Sequence, residues 1–456
     1  MIDYNNKKHI FSKQHRTSNP IRIFLGLFVL LGLLFVVRAF DTGQIISPFS
    51  PTLTPTRTLN SYADEGDTQF KAGNLQKAIE AYQNALKVDP NNADLWAQLA
   101  RIQVYSTTQI TTDAGKRTRL QEAFASIDKG LAVSSDDSML YAVKAFASDW
   151  YGNQSIAGDG WQTYLNDGEQ EAVQALQYDS TNDLAKAYYA ELLVDQQKWS
   201  EAEQYIEQAL QKDTTQMDIY RVAGYVQESL GNYKQAIDYY QQAIALAPNM
   251  NSLYLSEGAN YRELADRSSG ITQTAYYNQA LDSFDKAAKI NDQQGVKDPI
   301  PLISIANTYV QMGFPLSADL NMVKAVQYNP TDPTVYGQLG IIYYKSRNYE
   351  GAIPALKCYV SGCTAAESCY VRNGGEDCDP NNIPNIPIAA QPLSQNSAAY
   401  YFTYASDLAG LHQPSNKYCD TAMPLFKQIS AAFNSDPDIM SIVAEGEGIC
   451  ASYGYK

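Results

Sequence analysis

The sequence has little of the chemistry on which most enzymes depend. It contains three histidines in 456 residues, and two of them, His9 and His15, precede an apolar run near the N-terminus. The third, His412, stands in "GLHQPSN" without a second histidine or a carboxylate at fixed spacing, so we interpret it as a turn residue. The motifs G-x-S-x-G, P-loop, Rossmann and H-E-x-x-H are absent from the sequence. We therefore predict a protein that is not an enzyme and that uses no cofactor.

Basic charge is scarce outside the N-terminus. Residues 1–40 hold six of the 34 Lys and Arg side chains and one of the 49 acidic ones. The rest of the chain therefore carries 28 basic against 48 acidic side chains. A body this acidic repels phosphate backbones and anionic lipid surfaces, so we expect no nucleic-acid partner. Neutral, basic or divalent-cation partners fit the charge better.

One long apolar run, "IFLGLFVLLGLLFVV" (23–37), decides the predicted compartment. With its flanks, 21–40 forms about 30 Å of helix, enough to cross a bilayer. Five of the six basic residues precede the run, so the positive-inside rule predicts a cytoplasmic basic tail over 1–20 and a transmembrane helix over 21–40. A cleaved signal peptide is the alternative, because Val37 and Ala39 permit a cleavage site. In both cases the body of the protein is outside the cytoplasmic membrane.

The segment after the apolar run is rich in proline and threonine. Within 41–58, the stretch "SPFSPTLTPTRT" has prolines that exclude helix and no residues for a core. We predict an extended stalk that separates the next domain from the membrane.

From residue 59 the chain is periodic. Ala202 and Ala236 are 34 residues apart, as are Ala318 and Ala352. Blocks such as "DYYQQAIALAPNM" (238–250) have small residues at helical spacing and end at proline or a polar turn. These blocks resemble tetratricopeptide (TPR) repeats, whose 34-residue unit is a helix pair. The matching residues in 217–250 are Tyr220, Ala223, Gly224, Gly231, Tyr233, Ala236, Tyr240, Ala243 and Pro248.

The resemblance implies an all-α fold, a right-handed superhelical solenoid of antiparallel helix pairs. We expect about eight repeats over 59–357, a Cys-rich insertion over 358–396 and a C-terminal helical cap over 397–456. Three insertions (106–117, 152–163 and 266–275) fall between the first and second helix of a pair. They are expected to project from one edge of the solenoid, where a repeat protein often binds its partner.

The family mostly supplies scaffolds that hold peptides or partner proteins in a concave groove. The groove-facing residues that the resemblance implies are Arg221, Tyr225, Arg262, Asn307, Ile341 and Tyr344. They do not reproduce the basic clamp with which some members bind a C-terminal carboxylate.

The six cysteines predict three disulfides rather than a metal site. Neither C-x2-C knuckles nor a C-x-x-C redox motif is present, and the number is even in an exported domain. Two predicted helices fold back about a turn near Ser435 and bring Cys419 and Cys450 to the same end, so we predict that pair. Three pairings remain open for Cys358, Cys363, Cys369 and Cys378. "EDCDPNN" only loosely resembles a calcium loop, so no metal is expected.

Together these features predict a non-catalytic, membrane-tethered scaffold or adaptor. Its partner would be a protein or peptide of the cell envelope or surface, with no small-molecule substrate evident. The C-terminal half resembles exported repeat proteins of bacteria, consistent with a single-pass protein of the cytoplasmic membrane. Two alternatives remain: a structural surface or appendage protein, and a sensor or enzyme accessory domain.

Overall fold

The computed structural model describes residues 19–42, 58–212 and 214–455 of a chain that divides into two compact units, 1–57 and 58–456. The first unit contains α1 (Pro20–Asp41). Over Pro20–Ala39 its mean hydropathy is 2.5, and among the described residues it alone is long and apolar enough to cross a membrane. A signal sequence meets the same criteria. The predicted basic tail and stalk lie almost wholly outside the described residues.

The second unit is built of α-helices arranged as consecutive pairs. The first four pairs are α2 (Leu59–Lys71) with α3 (Leu75–Val88), α4 (Ala93–Ser106) with α5 (Asp113–Val133), α6 (Ser138–Tyr151) with α8 (Trp161–Tyr178), and α9 (Asp183–Asp195) with α10 (Trp199–Ala209). The next four are α11 (Met217–Ser229) with α12 (Tyr233–Leu246), α13 (Asn251–Asp266) with α14 (Gly270–Gln294), α15 (Ile300–Met312) with α16 (Pro315–Tyr328), and α17 (Pro333–Lys345) with α18 (Tyr349–Val360).

Shorter elements and a last group of helices complete the unit. They are the single turn α7 (Gln154–Ala157), the 3-10 turns Thr107–Gln109 and Gly158–Gly160, α19 (Ala365–Arg372), α20 (Ala398–Gly410), α21 (Cys419–Ala432) and α22 (Pro437–Ser452). The described residues contain one isolated β-bridge and no β-strand of greater length. The prediction of an all-α fold of helix pairs is confirmed.

Each pair forms because apolar residues recur at helical spacing and small residues let two helices approach. In α12, Ala236, Tyr240 and Ala243 are buried on one face. The ring of Tyr240 lies over Gly224 in α11, where an added Cβ would stand 2.8 Å from it. The turn between the two helices contains Gly231 at φ +79°, a conformation that glycine adopts without steric cost. The sequence pattern thus dictates both the helices and their close packing.

The hydrophobic core runs along the unit in two long stretches. One extends from Phe70 to Leu253 and the other from Leu302 to Cys450. Two small clusters, centred on Tyr254 and Phe284, lie between them. The sixth pair is therefore the thinnest part of the core.

The first six pairs curve until the earliest and latest of them touch. The Gln109 amide, just after α4, donates to the carbonyl of Gly73 and to the Gln294 side chain at the end of α14, both at 2.8 Å. Nearer the superhelix axis, Nε of Arg101 in α4 donates to Asp218 in α11 at 2.9 Å. These contacts enclose the inner face of the pairs between them.

The three predicted insertions differ in structure. Residues 106–117 and 152–163 form short turns, and Nε of Arg117 donates to the carbonyl of Ile156 at 2.7 Å, so the two segments are joined. We expected residues 266–275 to project as a loop, but residues 270–275 form the beginning of α14, which is 25 residues long.

The Cys-rich segment folds back on α18. Cys358 is bonded to Cys363, and Cys369 in α19 to Cys378. The backbones of Cys363 and Ile388 exchange two hydrogen bonds of 2.9 Å, so the segment after α19 returns to the end of α18. The predicted disulfide bonds are present, and these two select one of the three open pairings for the four clustered cysteines.

The chain ends with three helices and the third disulfide. Cys419 at the start of α21 is bonded to Cys450 near the end of α22, and both are fully buried. His412 is buried beside them, and its Nδ1 accepts a hydrogen bond of 3.0 Å from the Cys419 backbone N–H. This histidine therefore caps the start of α21.

Candidate ligand-binding pocket and concave surface

The enclosed inner face of the first six pairs contains a cavity of about 610 Å³. This size is typical of pockets for small ligands. Its base comes from α6, α9 and α11, and its wall comes from the two short insertions and from α12 and α13. The lining residues are Thr107, Thr108, Lys116, Asp149, Trp150, Gly152, Asn153, Gln154, Ile156, Trp161, Leu165, Glu191, Asp195, Arg221, Tyr225, Tyr240, Ser252, Leu253 and Ser256. We call this cavity the inner pocket.

Arg221, a predicted groove residue, is held by an ion pair at the base of the inner pocket. Its two terminal nitrogens donate to the two carboxylate oxygens of Glu191 at 2.6 and 2.5 Å, and its Nε donates to the Tyr105 hydroxyl at 3.0 Å. The indole N–H of Trp150 donates to Glu191 at 3.1 Å. The guanidinium also lies 5.4 Å from the centre of the Phe146 ring. Arg221 is therefore a positioned internal group, with its hydrogen bonds directed into the protein.

Asp218 is the centre of a second ion pair behind the first. It is fully buried and accepts hydrogen bonds from Arg101 and from the hydroxyls of Tyr105 and Tyr188, at 2.8 and 2.6 Å. Burial alone would raise the pKa of the Asp218 carboxyl, but the Arg101 charge and these donors hold it well below its usual range. The positive charges of Arg101 and Arg221 are thus balanced by the negative charges of Asp218 and Glu191.

Asp149 and Asp195 form a carboxyl pair without a cation of its own. The two side chains are hydrogen-bonded to each other, and the Tyr225 hydroxyl donates to Asp195 at 2.5 Å. Burial raises the pKa of Asp149 well above its usual range and that of Asp195 to about 6, with the charge of Glu191 adding to both shifts. Both shifts favour the protonated carboxyl, so the site stabilises a proton shared by the pair.

The chemistry available in the inner pocket is acid–base and hydrogen-bonding rather than metal binding. Among the described residues, no group of three or more His, Cys, Asp or Glu side chains is arranged to hold a metal ion. Asp377 and Asp379, in the segment compared with a calcium loop, belong to a turn in which Asp379 accepts from the Asn381 backbone.

The six predicted groove residues occupy different places. Arg221 and Tyr225 are in the inner pocket. Arg262 and Asn307 line a shallower depression of about 230 Å³ formed by α13, α15 and α17. Tyr344 is exposed at the end of α17, where its ring lies 5.3 Å from that of Tyr349, and Ile341 is partly buried against the core. The structure thus divides the predicted groove residues between the inner pocket, a smaller depression and positions outside both.

Sequence reasoning missed Asp149, Glu191 and Asp195, although a signal was present. Arg221 and Tyr225 each contact an acid 30 residues earlier, which is about one helical turn less than the 34 residues between the starts of α9 and α11. Asp149 and Asp195 also lie in the last turns of α6 and α9. An acid there faces the negative end of the helix dipole, which is an unfavourable place for a purely structural carboxylate.

Comparisons with known proteins agree with this architecture. A family model of the TPR repeat matches residues 66–104, and one described as the tetratricopeptide repeat matches 190–251. Human IFIT1, solved as a dimer with m7Gppp-AAAA, is similar over 86% of this chain and 81% of its own, with a TM-score of 0.55 and 14% identity. A thermophilic TPR protein of Thermus thermophilus matches 44% of this chain and 98% of its own, with a TM-score of 0.36 and 17% identity.

The repeat matches fall on α2–α4 and α9–α13, where the helix pairs have the packing described above. The predicted residues of the 217–250 repeat pack as the resemblance requires, with Gly224 under Tyr240 and Ala236 buried. TPR repeats serve generally as non-catalytic modules that bind proteins or peptides. The chain therefore contains tetratricopeptide repeats, which the family models match over residues 66–104 and 190–251.

Proposed function

We propose that the protein is a membrane-tethered scaffold that binds a protein or peptide partner outside the cytoplasmic membrane. The helix-pair fold supports an interaction module, and α1 supports a single N-terminal anchor. Three disulfides support an oxidising compartment, because such bonds persist outside the cytoplasm. The basic residues before the apolar run support a topology with the N-terminus inside.

The observation that carries the proposal is the open surface formed by α13, α15 and α17. Its depression of about 230 Å³ adjoins another of about 330 Å³, and both are lined by Val310 and Lys345. Within the described chain, the guanidinium of Arg262 has no hydrogen bond or ion pair, although burial lowers its pKa. Arg221, by contrast, has its donors satisfied internally. Arg262 therefore presents unused donors to a partner.

Exposed aromatic side chains are close in sequence to residues that line this surface, since Tyr344 precedes Lys345 and Phe314 precedes Pro315. Tyr344 is 37% exposed, Tyr349 39% and Phe314 53%. An arginine with neighbouring aromatic rings is the composition that interface hot spots favour. We propose that the partner contacts Arg262, Asn307 and Tyr344 there, and that Ile341 stabilises α17 beneath them.

The RNA ligand of the IFIT1 structure does not carry over to this proposal. At 14% identity the likeness concerns the fold. The inner pocket here contains the carboxyls of Asp149, Glu191 and Asp195. Arg221 pairs with Glu191, whereas Asp149 and Asp195 have no ion-pair partner among the described residues, and their acidic character opposes the binding of a phosphate group.

The partner proposal is tested by crosslinking and mass spectrometry in native membranes. The wild type is compared with the double variant Arg262→Ala/Tyr344→Ala. The matched control is Lys289→Ala, which removes an exposed charge of α14 that pairs with Asp285. We expect the double variant to lose partner crosslinks that the control retains, with circular dichroism unchanged in both. Identical crosslinks in all three proteins would reject the surface.

The tether is tested separately with tags at the two ends of the chain. Protease added to spheroplasts is expected to remove a C-terminal tag and to leave an N-terminal tag protected. N-terminal sequencing of the membrane fraction then distinguishes an anchor from a signal peptide cleaved after residue 39. A protected C-terminal tag would contradict export.

A further inference from the structure

The inner pocket contains a buried acceptor that the protein itself leaves unused. Asp149 is 4% exposed, lines the pocket, and its Oδ1 has no hydrogen-bond partner in the described structure. A buried carboxyl oxygen without a donor costs free energy, about 1–3 kcal/mol or more. Such an atom calls for an explanation, and in a residue that lines a cavity one explanation is a ligand that donates to it.

The charged groups around Asp149 compensate it only in part, because the positive charge of Arg221 lowers the pKa of Asp149 and Asp195 but does not outweigh their burial. Arg221 directs its hydrogen bonds to Glu191 and Tyr105. Lys116, on the opposite wall, makes no ion pair with Asp149 or Asp195 among the described residues, and its charge acts on Asp298. Within the described chain, the pair Asp149–Asp195 therefore faces the cavity without an ion-pair partner, and Oδ1 of Asp149 has no hydrogen-bond donor. The other titratable side chains that face the pair are Glu191, whose charge raises the pKa of both carboxyls, and the hydroxyls of Tyr225 and Tyr240.

The walls of the pocket suit an organic cation better than a metal ion. Trp150, Trp161, Ile156 and Leu165 supply aromatic and aliphatic surface, which attracts an alkylammonium through cation–π and apolar contacts. An ammonium group has three donors and no acceptor, so it can satisfy oxygens of both carboxyls at once. A calcium ion needs six to eight oxygen ligands, more than this pair provides.

We propose that the inner pocket binds an alkylammonium ion, with its N–H groups donating to Oδ1 of Asp149 and to Asp195. The ammonium takes the place of the proton shared by the two carboxyls, and that proton leaves to solvent. The net charge of the site is the same before and after this exchange, because one cation replaces another. The alkyl chain lies against Trp150 and Trp161. This site is separate from the α13–α15–α17 surface and does not depend on the proposed scaffold function.

Two sources can supply this chemistry, a free alkylamine or a lysine side chain of another protein. The two short insertions form the pocket wall, so they determine how far a bulky ligand can enter. The probes are therefore butylamine, 1,4-diaminobutane and Nα-acetyl-lysine methylamide. A free amine as the natural ligand predicts tighter binding of the first two, whereas a lysine side chain predicts tighter binding of the third.

The test is isothermal titration of the full chain in detergent at pH 7, in two non-amine buffers of different ionisation enthalpy. We expect saturable binding of at least one amine, with the release of up to one proton per site. Asp149→Asn, which keeps the side-chain volume, should weaken binding at least tenfold. Asp407→Asn is the matched control, because Asp407 is also a buried carboxyl with an unpartnered oxygen but lies outside the pocket. It should bind as the wild type does.

Several results would overturn the proposal. One is that all three amines give heats indistinguishable from dilution, and another is that the uncharged butan-1-ol binds as tightly as the amines. Tighter binding of calcium chloride than of any amine, or unchanged amine affinity in Asp149→Asn, would also overturn it. Thermal unfolding followed by circular dichroism checks that Asp149→Asn is folded. Tryptophan fluorescence gives a second readout, since an alkylammonium beside Trp150 and Trp161 should change their emission in the wild type and the control.

Discussion

Arg101 in the second helix pair donates hydrogen bonds to both carboxylate oxygens of Asp218 in the fifth, 117 residues later. The arginine side chain also lies 4.6 Å from the centre of the Phe70 ring, so the first pair is held in the same contact. Asp218 stands in the first turn of α11, where the helix dipole favours a negative charge. One ion pair thus joins three pairs of the curved solenoid and helps to close the inner pocket.

Replacing Asp218 by alanine should destabilise the protein strongly. The substitution leaves the guanidinium of Arg101 and the hydroxyls of Tyr105 and Tyr188 without their acceptor in a buried site. Removal of one partner from a buried ion pair typically costs about 3–5 kcal/mol. The free energy of unfolding in urea measures the loss.

The control for this prediction is the exposed pair of Asp285 and Lys289. Both side chains are more than half exposed, so Asp285→Ala should cost at most about 1 kcal/mol. Equal losses for the two alanine variants would show that the ion pair of Asp218 does not stabilise the closed arrangement.

The local part of this fold could be predicted from sequence. The 34-residue spacing of Ala202 and Ala236 reflects a packing requirement between adjacent helices, and that requirement acts over short distances. The presence of disulfides could also be predicted, from the even number of cysteines and from the predicted location outside the cytoplasm. The prediction that 266–275 forms a projecting loop was wrong, because surplus residues without proline can extend a helix as readily as form a loop.

The closed inner pocket could not be predicted in this way. Contact between Arg101 and Asp218 depends on the small rotation between successive pairs, added over three pairs, and on two insertions of irregular length. A pattern that marks Arg221 as inward-facing does not reveal that Glu191 already occupies its donors. The rotations between successive helix pairs, added along the solenoid, determine whether the groove is open or closed.

Two glycines in α22 should respond oppositely to the same substitution. A Cβ on Gly446 would lie 2.1 Å from the fully buried ring of Phe426, whereas one on Gly448 would meet no atom within 4 Å. Gly446→Ala should therefore cost about 1–3 kcal/mol through overpacking. Gly448→Ala should stabilise by about 0.5–1 kcal/mol, because alanine favours the helix. Thermal unfolding compares the two, and destabilisation by both would contradict the described packing of α21 on α22.

The Cys419–Cys450 disulfide should make a large contribution to the stability of the C-terminal helices. It closes a loop with a sequence separation of 31 residues, which corresponds to about 3–4 kcal/mol in the chain-entropy model. We expect Cys419→Ala/Cys450→Ala to lower the free energy of unfolding by that amount. Hydrogen exchange should locate the effect in α20–α22.

The short loop between Cys369 and Cys378 provides the comparison. Its sequence separation is 9 residues. This bond therefore restricts the unfolded chain less than Cys419–Cys450 does, and its removal should cost less free energy of unfolding. Mass spectrometry without reductant checks that the other bonds remain in each variant. A larger loss from the short loop than from Cys419–Cys450 would count against this account.

Asp407 in α20 should make stability fall as pH rises. Its carboxyl is 3% exposed, Oδ2 has no hydrogen-bond partner among the described residues, and burial raises its pKa to about 7. The folded state therefore binds this proton more tightly than the unfolded state, where the pKa is about 4. The stabilisation is fully present below about pH 4 and is lost as pH rises through about 7.

Asp407→Asn keeps the size of the side chain and removes this titration. We expect the variant to have a flatter profile of unfolding free energy between pH 4 and pH 8. At pH 8 it should be more stable than the wild type by about 1 kcal/mol or more, since a buried unpaired charge is no longer formed. The parallel variant Asp285→Asn, at an exposed site, should leave the slope unchanged. Urea titrations at several pH values measure both slopes, and a wild-type slope retained in Asp407→Asn would assign the pH dependence to other carboxyls such as Asp319, whose pKa burial raises to about 6.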